Sequence, residues 1–148
     1  MPPQAYRVVL DTNQIIGAGT SWLGVGRPNP DNNACRRVLI CVAESHRGLY
    51  CGKIIGEYIE KLVDRNHPAD RALKMITYIM GAFTRIEITT TAAPVPPADI
   101  DDEVFILCAI DGQAHYLVSE DRSLLDLKGS YEQPIIGGSE EVANALGL

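Results

Sequence analysis

Short apolar runs alternate with segments of helical periodicity along the chain. Five such runs are predicted to be strands: Tyr6–Leu10, Leu49–Cys51, Thr84–Thr89, Tyr116–Ser119 and Pro134–Ile136. Helical spacing and capping signals predict the following helices: Ala34–His46, Ile54–Arg65, Pro68–Ala82, Asp101–Asp111, Arg122–Leu125 and Ser139–Leu146. This alternation is typical of a mainly parallel central sheet with helices on both faces, so we expect an α/β fold of the three-layer α/β/α sandwich type.

The segment after the first strand departs from this alternation. Thr12–Gly17 can form a short helix, whereas Gly17–Asp31 is rich in Gly and Pro and predicts a long loop. The role of this loop stays open, although it can cover or narrow a groove. Asn32 or Asn33 is expected to cap the helix that follows, and Ser139 to cap the last helix. In the predicted helix Pro68–Ala82, the positions expected to face inward are Leu73, Ile76, Ile79 and Met80.

The length and composition fit one folded domain over residues 1–148. Of the 148 residues, 46% are hydrophobic and 22% are charged, which is ordinary for a globular protein. No apolar run is long enough to cross a membrane, and the first residues lack the pattern of a signal peptide, so we expect a cytoplasmic location. The four cysteines form no C-x-x-C pair, which favours buried, reduced side chains over zinc ligands or disulfides.

The chain is acidic, with a formal net charge of −6. This charge argues against a simple electrostatic binder of nucleic acid, which is normally basic. It does not exclude a nuclease, because clustered carboxylates raise the negative count and bound divalent cations reverse the local field.

Four acidic residues are predicted at one edge of the sheet. Asp11 directly follows the first strand, and Asp121 lies two residues beyond the strand over Tyr116–Ser119. Asp102 lies at the start of the helix that leads into that strand, and Glu57 lies in the first turns of the helix after the second strand. Because the carboxyl ends of parallel strands share one edge, where ligands bind in such folds, we expect these carboxylates to lie close together.

A cluster of carboxylates predicts a particular class of cation. Like charges packed together raise one another's pKa, and a divalent cation relieves this repulsion. Mg²⁺ and Mn²⁺ prefer carboxylate and water oxygens, and the absence of histidine among these acids disfavours zinc. Such a site suits hydrolysis of phosphodiester bonds, because the metal lowers the pKa of a bound water and shields charge on the phosphate.

Four segments resemble the PIN-domain ribonucleases in order and spacing: VVLDTN, the mid-chain EY inside a helix, DDEVFILCA and YLVSEDRSLL. The sequence is most similar to the bacterial and archaeal branch that includes toxins of the VapC type, over nearly the whole chain. The resemblance implies a Mg²⁺- or Mn²⁺-dependent endoribonuclease that acts as the toxin of a toxin–antitoxin pair. It also implies RNA as the substrate, an antitoxin protein as a partner, and a homodimer.

The resemblance implies a role for each candidate residue. The metal ligands would be Asp11, Glu57, Asp102 and Asp121. Asp11 would be the first ligand, and Glu57, the second acid, would bind the metal directly or through water. The residues that would orient these carboxylates or the metal-bound waters are Thr12, Asn13 and Ser119. Many relatives carry a further acid two residues after the fourth acid, which is Asp121 here. This chain has Ser123 at that position, and the missing carboxylate argues against a second tightly held metal. From their position beside the acids in the sequence, the best candidates for contacts with RNA phosphates are Lys53 and Arg122.

Each acidic candidate also has a plainer structural interpretation. Asp11 and Asp121 can cap the turns that follow them. Glu57 can be a solvated helix residue paired with Lys61, four positions along the helix. Asp102 and its two acidic neighbours can complement the dipole of their helix, although we expect one of the three, preferably Asp102, to bind metal.

Two other functions stay open at this point. A phosphatase or phosphotransferase could use Asp11 as a covalent nucleophile. Enzymes of that kind require a second acid two residues later, and this chain has Asn13 there. A non-catalytic PIN-like module that binds RNA is the other alternative, and the retained acids argue against it.

Overall fold

The computed structural model describes residues 5–23 and 30–148. Along these residues the elements follow in the order β1 (Arg7–Leu10), α1 (Thr12–Leu23), α2 (Pro30–Ser45), β2 (Arg47–Tyr50), α3 (Gly52–Asp64), α4 (Ala69–Ala82), β3 (Thr84–Arg85), a 3₁₀ turn (Ile100–Asp102), α5 (Glu103–Asp111), β4 (Tyr116–Val118), α6 (Arg122–Leu125), β5 (Ile135–Gly137) and α7 (Ser139–Ala145). The predicted alternation of strands and helices, and with it the α/β class, is confirmed.

The strands form one sheet in the order β3-β2-β1-β4-β5, and every pairing is parallel. β1 lies at the centre, and its residues Val8, Val9 and Leu10 are fully buried. The chain builds outward from β1 through β2 and β3, then returns to the other side of β1 for β4 and β5. The direction of winding therefore reverses between β1 and β4, and ligands bind at the carboxyl ends of the strands that flank such a point.

The first helix is longer than its sequence predicts. α1 runs through Leu23, so the first part of the predicted loop over Gly17–Asp31 is helical, and Pro30 and Asp31 belong to α2; residues 24–29 lie outside the described part of the chain. A Cβ on Gly17 would lie 2.8 Å from the Sγ atom of Cys35 on α2. This glycine therefore allows α1 and α2 to pack closely, and it is not a signal for a turn.

Two predicted helix caps are wrong. Asn32 and Asn33 lie inside α2, which begins at Pro30, where the fixed φ of proline suits the first turn of a helix. Ser139 is the first residue of α7 and not its cap. Its backbone N–H and its hydroxyl both donate to Oε1 of Glu120, each at 2.6 Å, so a carboxylate from the loop after β4 satisfies this helix end.

The inward face of α4 differs from the one predicted. Ile76 and Ile79 are buried as expected, but Leu73 is 67% exposed and Met80 is 47% exposed. Ala72 and Met75 take their places in the core. The apolar stripe on α4 is wider than the face that packs against the protein, so periodicity alone did not identify which edge of the stripe is buried.

Two further features agree with the sequence. Within the described chain the four cysteines form no disulfide, and Cys35, Cys51 and Cys108 are buried. Among the same residues, no helix combines the length and the apolar character that crossing a bilayer requires.

Candidate metal centre

Asp11 follows β1 at the centre of the sheet, where its backbone N–H donates to the carbonyl of Val118 at 2.9 Å. Its side chain is only 3% exposed and accepts three hydrogen bonds. Oδ1 accepts from the N–H of Thr12 at 2.7 Å, and Oδ2 accepts from the hydroxyl of Ser119 at 2.6 Å and from the amide of Asn13 at 3.1 Å. All three predicted orienting residues therefore contact this carboxylate.

Burial dominates the electrostatics of Asp11. Removal from water raises the pKa of Asp11 from 3.8 to about 7. The Ser119 and Thr12 hydrogen bonds lower the pKa, whereas the neighbouring carboxylates of Asp102 and Asp121 raise it. The hydrogen bonds thus fix the position of the carboxylate, but they do not offset the cost of burying its negative charge.

Asp102 is the second buried acid and comes from the segment before α5. It ends the 3₁₀ turn before α5, and its side chain is 6% exposed. Its Oδ2 atom is buried and has no hydrogen-bond partner. Burial, followed by repulsion from Asp121, raises the pKa of Asp102 to about 6, and a hydrogen bond with Ser123 opposes this increase. A buried carboxylate oxygen without a partner is costly unless a cation or a water satisfies it.

Asp121 caps a helix, which is the plainer of the two interpretations that the sequence allows. Its Oδ1 atom accepts from the N–H of Ser123 at 3.1 Å and so caps α6. Its own N–H donates to the hydroxyl of Ser119 at 2.9 Å, the same hydroxyl that donates to Asp11. The side chain is exposed, which leaves its carboxylate free to face a ligand while the cap is kept.

Glu57 enters from α3, one and a half turns beyond its start. It is half-buried, and burial raises the pKa of its carboxyl group. The nearby hydroxyl of Thr12 and the charge of Lys61 oppose that increase. The plainer interpretation of Glu57 as a partner of Lys61 is therefore partly correct, because the two side chains interact electrostatically.

All four acids line one pocket of about 420 Å³. This acid pocket is lined by Asp11, Thr12, Asn13, Ile16, Gly17, Asn32, Glu57, Lys61, Arg65, Asp99, Asp101, Asp102 and Asp121. The convergence of the four acids on one edge of the sheet follows from the parallel order of the strands.

The donors in the acid pocket suit a hard divalent cation. They are carboxylate, hydroxyl and amide oxygens, and the unpartnered Oδ2 atom of Asp102 supplies a ligand position. As they stand, no three acidic, histidine or cysteine side chains in residues 5–23 and 30–148 form a ready cage for an ion. A bound cation would therefore use fewer direct protein ligands with waters, which is the usual mode for Mg²⁺, or draw the exposed carboxylates inward.

The structure places the two predicted RNA-contacting cations outside the acid pocket. Lys53 lines a neighbouring groove of about 520 Å³ that also contains Arg85 and Asp101. Arg122 is exposed and forms an ion pair with Asp126 at 3.7 Å. Proximity in sequence to an acid therefore did not identify the cations that share its pocket.

Sequence reasoning missed several residues that build or line the pocket. Ser123, which stands where many relatives carry an acid, supports the site: its hydroxyl accepts from the N–H of Asp99 at 3.0 Å and bonds to Asp102. Asp99 in turn accepts from the N–H of Asp101 at 3.0 Å and shapes the 3₁₀ turn. The sequence signal for Lys61 was its spacing of four residues from Glu57, which puts both on one face of α3.

Comparisons with known proteins agree with this architecture. The sequence profile described as the PIN domain matches residues 7–123. No curated protein matches the sequence at a significant level. Among solved structures, one similar chain is from VapBC2 of Rickettsia felis bound to a DNA fragment from their promoter, with a TM-score of 0.56 and 11% identity over 89% of this chain and 98% of that chain. Another is PAE2754 from Pyrobaculum aerophilum, with a TM-score of 0.55 and 16% identity over 99% of this chain and 93% of that chain. Because the profile spans most of the sequence, the chain belongs to the PIN-domain family.

Proposed function

We propose that this protein is a metal-dependent endoribonuclease whose active site is the acid pocket. One observation carries the proposal: two buried carboxylates, Asp11 and Asp102, have raised pKa values, and one oxygen of Asp102 is unpartnered, in a pocket that other acids also line. A cluster of buried acids is costly without a cation, and perturbed acids in a cleft are typical of functional sites. Membership of the PIN-domain family adds support, since PIN domains are generally nucleases.

In this proposal Asp11, Asp102, Asp121 and Glu57 hold Mg²⁺ or Mn²⁺, directly or through water. When bound, the metal supplies Lewis-acid activation of a water and shields charge on the phosphate. Ser119 and the residues after β1 keep Asp11 in a fixed orientation, because each of its oxygens already accepts a hydrogen bond. Water attacks phosphorus and gives up one proton, the bond from phosphorus to the leaving oxygen breaks, and the leaving oxygen takes up one proton, so that the reaction consumes one water.

We propose RNA as the substrate, a single domain over residues 1–148, and an antitoxin protein as a partner. The fold shared with a chain of the VapBC2 complex is consistent with a toxin–antitoxin role. Exposed apolar side chains on two neighbouring helices support a protein partner or a homodimer. They are Ile59 and Val63 on α3 and Leu73 and Met80 on α4.

The test is cleavage of mixed single-stranded and structured RNA in Mn²⁺, with and without EDTA. Wild-type protein is expected to cut RNA internally, and EDTA or Asp11→Asn is expected to abolish cutting. Glu132→Gln changes an exposed carboxylate outside the acid pocket and should cut as wild type does. Equal cutting by wild type and Asp11→Asn would refute the proposal, and tight RNA binding without cutting would favour the non-catalytic module.

A further inference from the structure

Two cations line the acid pocket together with the carboxylates. Lys61 lies four residues beyond Glu57 on α3, and Arg65 lies four residues further, at the end of the helix. Residues four apart in a helix lie on the same face, with a rise of about 6 Å between them. Glu57, Lys61 and Arg65 therefore form a row that leads from the acids along one wall of the pocket.

Neither cation makes an ion pair with any residue that the structure describes. The ion pairs recorded over residues 5–23 and 30–148 are Arg85–Glu87, Arg122–Asp126 and Lys128–Glu141. Lys61 on α3 and Arg65 directly after its last residue are exposed, so both side chains can reach a ligand without breaking an ion pair with a described residue. Two cations that form no ion pair with a described residue, beside six carboxylates, are a feature that metal binding alone does not require.

An RNA strand brings more than one phosphate to a nuclease. The scissile phosphate would lie at the metal, and its neighbours along the strand need cationic or hydrogen-bonding partners elsewhere. The remaining wall of the acid pocket is uncharged at Ile16, Gly17 and Asn32. Within the pocket, the positive charge needed for a neighbouring phosphate thus comes from α3.

We infer that Lys61 and Arg65 bind the phosphates of the RNA that flank the scissile one, so that the strand follows α3 away from the acids. This inference rests on the proposed nuclease function and adds the path of the substrate to it. It replaces Lys53 and Arg122 as the principal phosphate contacts. Arg65 is the more informative residue, because the charge of Lys61 also lowers the pKa of Glu57, whereas Arg65 forms no ion pair among the described residues.

The test combines a change in the protein with a change in the substrate. The variants are Lys61→Ala, Arg65→Ala and the double variant, with Lys61→Arg and Arg65→Lys as versions that keep the charge. The substrates are a single-stranded RNA of about twelve nucleotides and bis(p-nitrophenyl) phosphate, a diester that has no flanking phosphate. Arg47→Ala removes an exposed cation at the amino end of β2, the opposite edge of the sheet, and should behave as wild type.

Each alanine substitution is expected to lower kcat/KM on RNA by about tenfold or more, mainly through KM, since a contact with a charged group is lost. The loss on the small diester is expected to be at least tenfold smaller than the loss on RNA. The variants that keep the charge should retain most of the activity on RNA. Equal losses on both substrates would overturn the inference, because they would mean that the cations act on the acids and not on the strand.

A binding measurement separates this inference from the nuclease proposal. Fluorescence anisotropy of the same RNA in Ca²⁺ is measured over a range of salt concentrations for all variants. Losing two phosphate contacts should reduce the slope of log K against log salt by about 1.4, since each contact contributes about 0.7 in single strands. An unchanged slope overturns the inference. If wild type cuts neither substrate but the slope still falls, the nuclease proposal fails while the phosphate contacts stand.

Discussion

In the absence of metal, the free energy of unfolding of Asp11→Asn minus that of wild type should increase as the pH rises. Asp11 is buried beside other carboxylates, and its pKa is raised to about 7. In the unfolded chain the same group ionises near pH 4. Between these two values the unfolded state binds fewer protons than the folded state, so the stability of wild type falls as pH rises through this window. Asparagine does not titrate, so the variant lacks this loss.

The magnitude follows from the two pKa values. The pKa of Asp11 rises from 3.8 to about 7, and each tenfold change in proton affinity is worth about 1.4 kcal/mol, so keeping Asp11 ionised costs the fold roughly 4 kcal/mol at high pH. Of this, roughly 2 kcal/mol develops between about pH 5.5 and pH 8. Asparagine loses part of the hydrogen bonding, because it has a single acceptor oxygen and cannot accept from Thr12 at one position while accepting from Ser119 and Asn13 at the other. That loss does not depend on pH, so it cancels when the two pH values are compared.

The assay is urea unfolding in EDTA at several pH values from 5.5 to 8, which avoids the sequence pI of about 5.0. The measured quantity is the free energy of unfolding of the variant minus that of wild type. This difference is expected to rise by roughly 2 kcal/mol across the range. Glu132→Gln, at an exposed position, should give a flat difference. A flat or falling difference for Asp11→Asn would refute the idea that the crowded, buried acid destabilises the metal-free fold.

Adding Mn²⁺ at the upper pH extends this experiment. A ligand that binds only the folded state stabilises it by about 2.7 kcal/mol at one hundred times its dissociation constant. Wild type is expected to gain stability of this order, whereas Asp11→Asn should gain little. Equal stabilisation of the two proteins would mean that Asp11 does not hold the cation.

Four further substitutions test how the site is supported and how the helices pack. Ser119→Ala removes the hydroxyl that donates to Asp11 at 2.6 Å and accepts from the N–H of Asp121. We expect a 10- to 100-fold loss in RNA cleavage, comparable to losing an outer-shell partner in other metal sites. An undiminished rate would contradict the orienting role. Gly17→Ala would put a Cβ 2.8 Å from Cys35 and should destabilise by about 1–3 kcal/mol in urea unfolding, whereas Gly56→Ala, with nothing within 4 Å, should stabilise by about 0.5–1 kcal/mol. Tyr58→Phe removes a buried hydroxyl that donates to the last carbonyl of β1, so unfolding should show a loss of about 1–2 kcal/mol; no loss would mean that the bond contributes nothing net.

The features that sequence predicts best are those that depend on local periodicity. The strand ending at Leu10 and the helix over Arg122–Leu125 appear where the pattern puts them, the second with the same bounds. The predicted start of the long loop at Gly17 was wrong because this glycine has two opposite uses. Glycine can break a helix, or it can let two helices approach closely, and only the position of Cys35 on a distant segment decides between them.

The edge of the sheet at which the acids meet was also predictable, because parallel strands align their carboxyl ends whatever their side chains. What could not be predicted is which other residues share that pocket. Arg65 is eight residues from Glu57 along the same face of α3, but only the packing of α3 against α1 and α5 makes that face a wall of the pocket. The unpartnered oxygen of Asp102 likewise depends on how the 3₁₀ turn lies against its neighbours, and no spacing in the sequence specifies that.

The four acids differ in how far each can move, and this difference bears on how a cation would enter. Asp11 is fixed by three hydrogen bonds and by the centre of the sheet, and Asp102 is buried in its turn. Asp121 and Glu57 retain solvent-exposed surface. Since no ready cage exists among the described residues, direct coordination by three or more of the acids would need side-chain movement, and the two more exposed acids can move with the least loss of packing. The rigid pair would then set the position of the metal, while the mobile pair would adjust to it.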